Sequence, residues 1–92
     1  VYEWDEAKRA ANLRKHGLDF DDADTVLENP DKITFAESGR GEKRWRELAF
    51  VETAGSVLVV VYTIRGYNIR IISFRKASRK ERQIYDHLRP TK

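Results

Sequence analysis

Residues 70–82 read RIISFRKASRKER, and within them Arg75, Lys76, Arg79, Lys80 and Arg82 stand against a single acid, Glu81. Guanidinium groups grip phosphate oxygens with paired N–H donors, and lysine adds a mobile point charge. The first half of the stretch, with Ile71, Ile72 and Phe74, reads as a strand. The second half opens a helix, because Ser78 and Glu81 have the spacing of a capping box. Cations in a first helical turn oppose the macrodipole, at roughly 0.3 kcal/mol each or more. A phosphate reverses that balance, since it gains the free backbone N–H groups, the dipole and the cations together. Local conflict of this kind is expected where a sequence serves a ligand and not its own fold. Arg75 at the strand end and Arg79 one turn into the helix are placed to reach one phosphate. Regular alternation puts Arg70 on the opposite face, and a bulge near Ser73 would bring it round.

The wider basic set is Arg65, Arg70, Arg75, Lys76, Arg79, Lys80, Arg82 and Arg89, with Lys43 and Arg44 earlier in the chain. Tyr62, Tyr67, Phe74 and Tyr85 are interleaved with it. Cations that track a backbone beside aromatics that stack unpaired bases suit single-stranded RNA. Cutting RNA through its 2′-hydroxyl needs a base, an acid and stabilisation of the charged phosphorane, and Arg or Lys supplies the last of these. The acid–base candidates are His16, His87, Tyr62, Tyr85, Glu81 and a lysine of lowered pKa. Each also has a purely structural reading. His16 lies in the last turn of a helix, His87 near the chain end, Tyr85 on the stripe of Leu88, and Glu81 opposite Ser78 in the capping box. No His–Glu or His–His pair at telling spacing names the base. Ser73 has no nearby His, so a serine triad is not supported. The aspartates of DFDDAD do not form a calcium loop, because position five from Asp19 is Ala23 and no glycine follows where the loop must turn. No ligand spacing for a metal is present, so metal-independent chemistry without a cofactor is expected.

These residues need a scaffold, and 92 residues provide one domain, residues 1–92, with a modest core. A 40% hydrophobic and 36% charged composition is that of a folded chain with a densely charged surface. There is no cysteine, hence no disulfide and no thiolate metal site. The longest apolar run, Val57–Tyr62, is too short to span a bilayer. No segment reads as a secretory signal, and a chain opening on Val1 is expected to have lost an initiator residue, so a cytoplasmic protein is expected. Net charge is +3, divided unevenly. Residues 1–52 hold nine Lys and Arg against thirteen Asp and Glu, a net −4, and residues 53–92 hold nine against two, a net +7. A basic half of this kind is an electrostatic footprint for a polyanion, or for an acidic protein segment.

The spacing predicts two helices, then strands, then a helix. Asp5 caps the first helix, Ala7, Ala10, Ala11 and Leu13 form its small apolar face, and Gly17 stops it. Asp19 caps the second, with Phe20, Ala23, Val26 and Leu27 buried and Asn29-Pro30 at its end. KITFAE, RWRELAFVET, VLVVVYTI and IRIISF follow as about four strands of an antiparallel meander, with a flexible SGRGEK turn between the first two. VLVVVYTI is apolar throughout and rich in β-branched residues, so it reads as a central strand covered on both faces. The helix pair is expected on one face and the C-terminal helix, Arg79 to Leu88 with a stop at Pro90, on the other. Trp4 and Trp45 read as core or interface residues.

Two segments resemble the signatures of BrnT-type toxins. WDEAKRAANLRKHGLDFDDA, residues 4–23, carries Trp4, Asp5, Lys8, Asn12, Lys15, His16, Gly17, Phe20 and Ala23 in the expected places. VVVYTIRGYNIRIISFRKASRKER, residues 59–82, carries Tyr62, Arg70, Ile72, Ser73, Arg75, Ala77 and Glu81. The resemblance covers nearly the whole chain and is weaker over residues 32–56. It implies an α+β RelE-like fold and a ribonuclease toxin of a type II toxin–antitoxin system that inhibits translation. It implies a BrnA-type antitoxin partner with a ribbon-helix-helix domain, operator DNA reached only through that complex, and no membrane. Lys8, His16, Arg70, Arg75 and Glu81 are the matching candidates for the active surface, with Tyr62 beside them. The competing reading is a non-catalytic RNA-binding module that uses the basic half, as a double-stranded-RNA-binding domain does. A helix-turn-helix built from the first two helices ranks below both, since DFDDAD would be repelled from a major groove.

Overall fold

In the computed structural model, which describes residues 1–37 and 41–89, the chain runs β1 (Tyr2–Glu3), α1 (Glu6–His16), a 3-10 turn (Phe20–Asp22), α2 (Asp24–Leu27), β2 (Ile33–Glu37), β3 (Arg44–Val51), β4 (Ser56–Arg65), β5 (Asn68–Lys76) and α3 (Arg79–Leu88). The strands form one mixed sheet in the order β1-β5-β4-β3-β2. The expected meander is β2 to β5, antiparallel throughout. The fifth strand corrects the count: two residues ahead of α1 pair in parallel with β5, Tyr2 against Ile69 and Glu3 against Arg70. Among the described residues no helix is long and apolar enough to cross a membrane.

Val57 to Tyr62 of β4 are all buried, and β4 is the middle strand. On one face Phe20, Ala23, Val26 and Leu27 pack against Ala49, Leu58, Val60, Tyr62, Ile71 and Phe74. On the other, Tyr85 of α3 closes over Leu48, Val57, Val59 and Val61. Burying both faces needs an apolar residue at every position, which is why the run does not alternate.

The helices depart from expectation in two ways. The second predicted helix is a 3-10 turn followed by a single turn of α-helix. Asp19 does cap it, accepting from the Asp21 amide at 3.0 Å, and the chain leaves helical geometry at Glu28, ahead of Asn29-Pro30. The first helix has its predicted ends: the Asp5 carboxylate accepts from the Ala7 and Lys8 amides, and Gly17 closes it at φ 70°. Its predicted face is wrong. Ala7, Ala10, Ala11 and Leu13 are exposed, and the buried residue of α1 is Asn12. The helix therefore meets β5 through a polar side chain. Alanines offer little area to bury, and a hydrogen-bonding side chain decided which way the helix turned. Residues 38–40 of the predicted turn and the Pro90 stop lie outside the described residues. Trp4 packs edge-on against Phe20, ring centres 6.2 Å apart, and Trp45 lies against the same core.

Candidate functional site

The register of β4 with β5 shifts once. Val61 faces Ser73 and Tyr62 faces Ile71, which leaves Ile72 without an opposite residue. That bulge changes which side chains share a face. Arg70 lies opposite Thr63 and Arg75 opposite Val59, two positions on β4 of the same parity, so both arginines point to the face that α3 covers. Arg46 joins them, because it lies opposite Val61 on β3.

The charged groups converge on Glu81. Glu81 is 5% exposed and lies in the first turn of α3. Arg75 forks onto it, Nη1 to Oε1 at 2.7 Å and Nη2 to Oε2 at 3.0 Å. Arg46 Nη1 donates to Oε2 at 2.6 Å, and the Ser78 amide to Oε1 at 2.8 Å. Ser78 Oγ accepts from the Glu81 amide in return, so the predicted capping box is formed. Burial alone would push Glu81 up. The donors from Arg75, Ser78 and Arg46 outweigh it and hold the carboxyl at about 2. A carboxylate that reluctant to take a proton, with both oxygens engaged, is a poor general base. Glu81 is a post that aligns two guanidiniums.

Glu37, opposite Arg44 at the end of β2, lies 3.2 Å from Arg46 Nε. The oxygen is off the N–H axis, and that buried Nε has no hydrogen-bond acceptor; the contact is an attraction of charges and not a hydrogen bond. Arg46, Arg75, Ser78, Lys80, Glu81 and Ile84 line an open depression beside the start of α3. Arg46, Arg75 and Lys80 outnumber Glu81 and Glu37 there, so the depression is electropositive.

His16 ends α1, near enough to Arg75 for that charge to act on its ring. It is half-buried, and desolvation first, then the charges of Lys15 and Arg75, hold its imidazole below the ordinary value. Of the two predicted histidines it is the one on which the Arg75 charge acts. Tyr62 is buried on the opposite face, its hydroxyl donating to Glu47 at 2.7 Å, and burial with that bond raises its pKa. Tyr85 is 4% exposed and packs in the core, which corrects its assignment to RNA binding. His87 is exposed in the last turn of α3.

The remaining predicted residues divide by position. Lys8 is exposed on α1, one turn before Asn12. Arg70 shares the face of Arg75 but is paired to Glu3 at 2.9 Å at the other end of β5. Arg79, Lys80 and Arg82 are exposed on α3, and Lys76 at the end of β5. Arg65 is exposed and loosely paired with Glu42 at 3.4 Å. Lys43 lies over the Trp45 ring, 4.6 Å from its centre, and Arg44 is exposed at the start of β3. The predicted phosphate pocket at the α3 N-terminus changes in character: the Ser78 and Glu81 amides are used by the capping box, and Arg75 is joined to Glu81. Arg46 and Glu37 were missed. The signal for Arg46 was available, since a cation one residue after Trp45 and two before Leu48, in a strand that becomes apolar, need not be a solvated surface residue.

A comparison with curated proteins returns no match. A family model described as the ribonuclease toxin BrnT of type II toxin–antitoxin systems matches residues 4–81. The matched span begins at Trp4 and ends at Glu81, so it contains β2 to β5, α1, His16, Arg46, Arg75 and the carboxylate that joins the two arginines. This chain belongs to the BrnT family of ribonuclease toxins, which are the toxin halves of type II toxin–antitoxin systems and imply an antitoxin partner.

Proposed function

We propose that the chain is a metal-independent endoribonuclease with a RelE-like fold that inhibits translation in the cytoplasm. A BrnA-type ribbon-helix-helix antitoxin neutralises it, and operator DNA is reached only through that complex. The observation that carries the enzymatic reading is the assembly of Arg75 and Arg46 on one buried carboxylate, with His16 at the end of α1 where its imidazole feels the charge of Arg75. The neutral His16 ring takes the proton of a 2′-hydroxyl. The resulting oxygen attacks the adjacent phosphorus, the bond to the 5′-oxygen breaks, and a 2′,3′-cyclic phosphate and a 5′-hydroxyl are left. Arg75 and Arg46 neutralise the charge that builds on the phosphorane through the N–H groups that Glu81 does not use. Lys80, on the rim of the depression, is the candidate donor of the proton to the leaving oxygen.

The pH profile tests the base. A base works unprotonated, and burial, Lys15 and Arg75 hold His16 below its ordinary 6.5. Cleavage is therefore expected to rise with pH through the acid range, with the midpoint of the rise below pH 6.5. His16→Gln is expected to be slower by about 10²–10⁴-fold and to lose the acid limb. A His16→Gln variant that cuts RNA at the parent rate would rule the base out. If the parent binds RNA with no cleavage at any pH, the chain is a non-catalytic RNA-binding module.

Metal independence is tested separately. Among the described residues no group of three or more His, Cys, Asp and Glu is arranged to hold a metal ion. Cleavage is expected to be unchanged in excess EDTA. Loss of cleavage in EDTA, with recovery on adding Mg²⁺ or Mn²⁺, would overturn it.

A further inference from the structure

We infer that Asn12 is a positioning residue for the cleavage reaction, a side-chain splint that sets the His16 imidazole against the Arg75 guanidinium. The inference rests on the reading of His16 as the base. The placement of α1 poses the problem it answers. A helix docked by an interlocking apolar face has its rotation and slide set by packing. Here the alanines and Leu13 of α1 face outward, and packing does not set them.

Asn12 supplies the missing constraint. It is 8% exposed. Its Nδ2 donates to the Phe74 carbonyl at 2.7 Å, and its Oδ1 accepts from the Phe74 amide at 3.2 Å. Nδ2 also donates to the Leu18 carbonyl at 3.0 Å, just past the end of the helix. Phe74 is opposite Val60 on β4, while β1 pairs only with Ile69 and Arg70 on the other side of β5. Among the described residues no other strand continues β1 along the outer edge of β5, and the Asn12 amide stands in for the next strand's peptide. Two antiparallel bonds to one residue fix both the rotation of α1 and its slide along β5.

Those bonds join the two halves of the site. His16 is four residues from Asn12, on the same side of the helix and one turn further on. Phe74 is the residue before Arg75. The path from imidazole to guanidinium thus runs through one helical turn, one amide and one peptide. Slippage of the helix by about 1 Å would move His16 off the hydroxyl it must deprotonate, at a loss of about 10²-fold.

The test uses Asn12→Ala and Asn12→Asp in the full chain, each assayed well below its own melting temperature, beside Arg14→Ala, an exposed change on the same helix, and His16→Gln. Asn12→Asp keeps the acceptor for the Phe74 amide and loses the donor to both carbonyls. The expected result is a fall in kcat of about 10²-fold for both Asn12 variants, with KM within about threefold of the parent, and no change for Arg14→Ala. NMR spectra of the parent are expected to show contacts between the His16 ring and the Arg75 side chain, and both Asn12 variants are expected to lose them. Folded Asn12 variants that cleave at the parent kcat would overturn the inference, because a purely structural role moves the melting temperature alone. If neither variant folds, the parent spectra decide: His16–Arg75 contacts uphold the juxtaposition, and their absence overturns it. A His16→Gln variant with full activity while the Asn12 variants are slow would remove His16 as the base and leave Asn12 as the residue that positions Arg75.

Discussion

Glu81→Gln is expected to lower the stability of the protein by about 3 kcal/mol at neutral pH and to abolish cleavage. The first figure follows from the distance between the ordinary carboxyl value of 4.5 and the folded value of about 2, at about 1.4 kcal/mol for each tenfold change. It agrees with the lower end of what breaking a buried charge group typically costs, about 3–5 kcal/mol. The lower end fits because the Arg46 and Arg75 side chains are 30% and 28% exposed, so water can recover part of what Glu81 supplied. For a chain of this size the melting temperature should fall by roughly 12–24 °C. The loss of cleavage follows from geometry: the glutamine amide can accept from one guanidinium, but its NH₂ then faces the other.

The same linkage gives a sign that separates charge from packing. Glu81 has a folded pKa below its unfolded one. Its contribution is therefore complete above pH 4.5 and drains away as pH falls from 4.5 toward about 2. The stability gap between parent and Glu81→Gln should close over that window in thermal melts at a series of pH values. A gap that stays constant down to pH 2 would mean that the substitution disturbed packing and not an ion cluster.

The elements that a local pattern encodes were legible. The unbroken apolar run of β4, the Asp5 and Gly17 ends of α1, and the Ser78–Glu81 capping box all announce themselves within a few residues. What could not be read depends on partners far apart in sequence. Tyr2 and Glu3 become a strand because β5, 65 or more residues later, offers an edge. Asn12 carries no local signal for bonding a peptide 62 residues away, and without that bond the alanine face looks like the natural one to bury. A bulge near Ser73 could be named as what would bring Arg70 round, but no residue marks it, and the one at Ile72 does move Arg70 to the face of Arg75. The site was half legible for the same reason. Arg75 and Glu81 lie six residues apart and were found together, whereas Arg46 and His16 reach them only through the sheet and through α1. A capping box explained Glu81 well enough to hide that its carboxylate also holds two arginines.

Arg75→Ala is expected to slow RNA cleavage by about 10²–10³-fold, the effect of removing one preorganised donor to a developing charge, roughly 2.7–4 kcal/mol. Arg89→Ala, an exposed change one residue beyond α3, is the comparator and should leave cleavage unchanged. The two variants will not melt alike. Arg75 supplies two of the donors on Glu81, and without it the carboxylate keeps Arg46 and the Ser78 amide. The melting temperature of Arg75→Ala should fall by less than that of Glu81→Gln, and rates must be compared at a temperature where both variants are folded. Arg75→Lys separates charge from shape. A lysine keeps the cation but cannot fork onto Glu81 while presenting further N–H groups to a phosphate, so Arg75→Lys should recover part of the stability and little of the rate. Arg46 makes one hydrogen bond to the same carboxylate from β3, one strand beyond β4, and Arg46→Ala should slow cleavage in the same direction. If Arg75→Ala, folded, cuts RNA as fast as Arg89→Ala, the Arg75–Glu81–Arg46 cluster is a structural ion group, and the phosphate binds elsewhere on the basic surface.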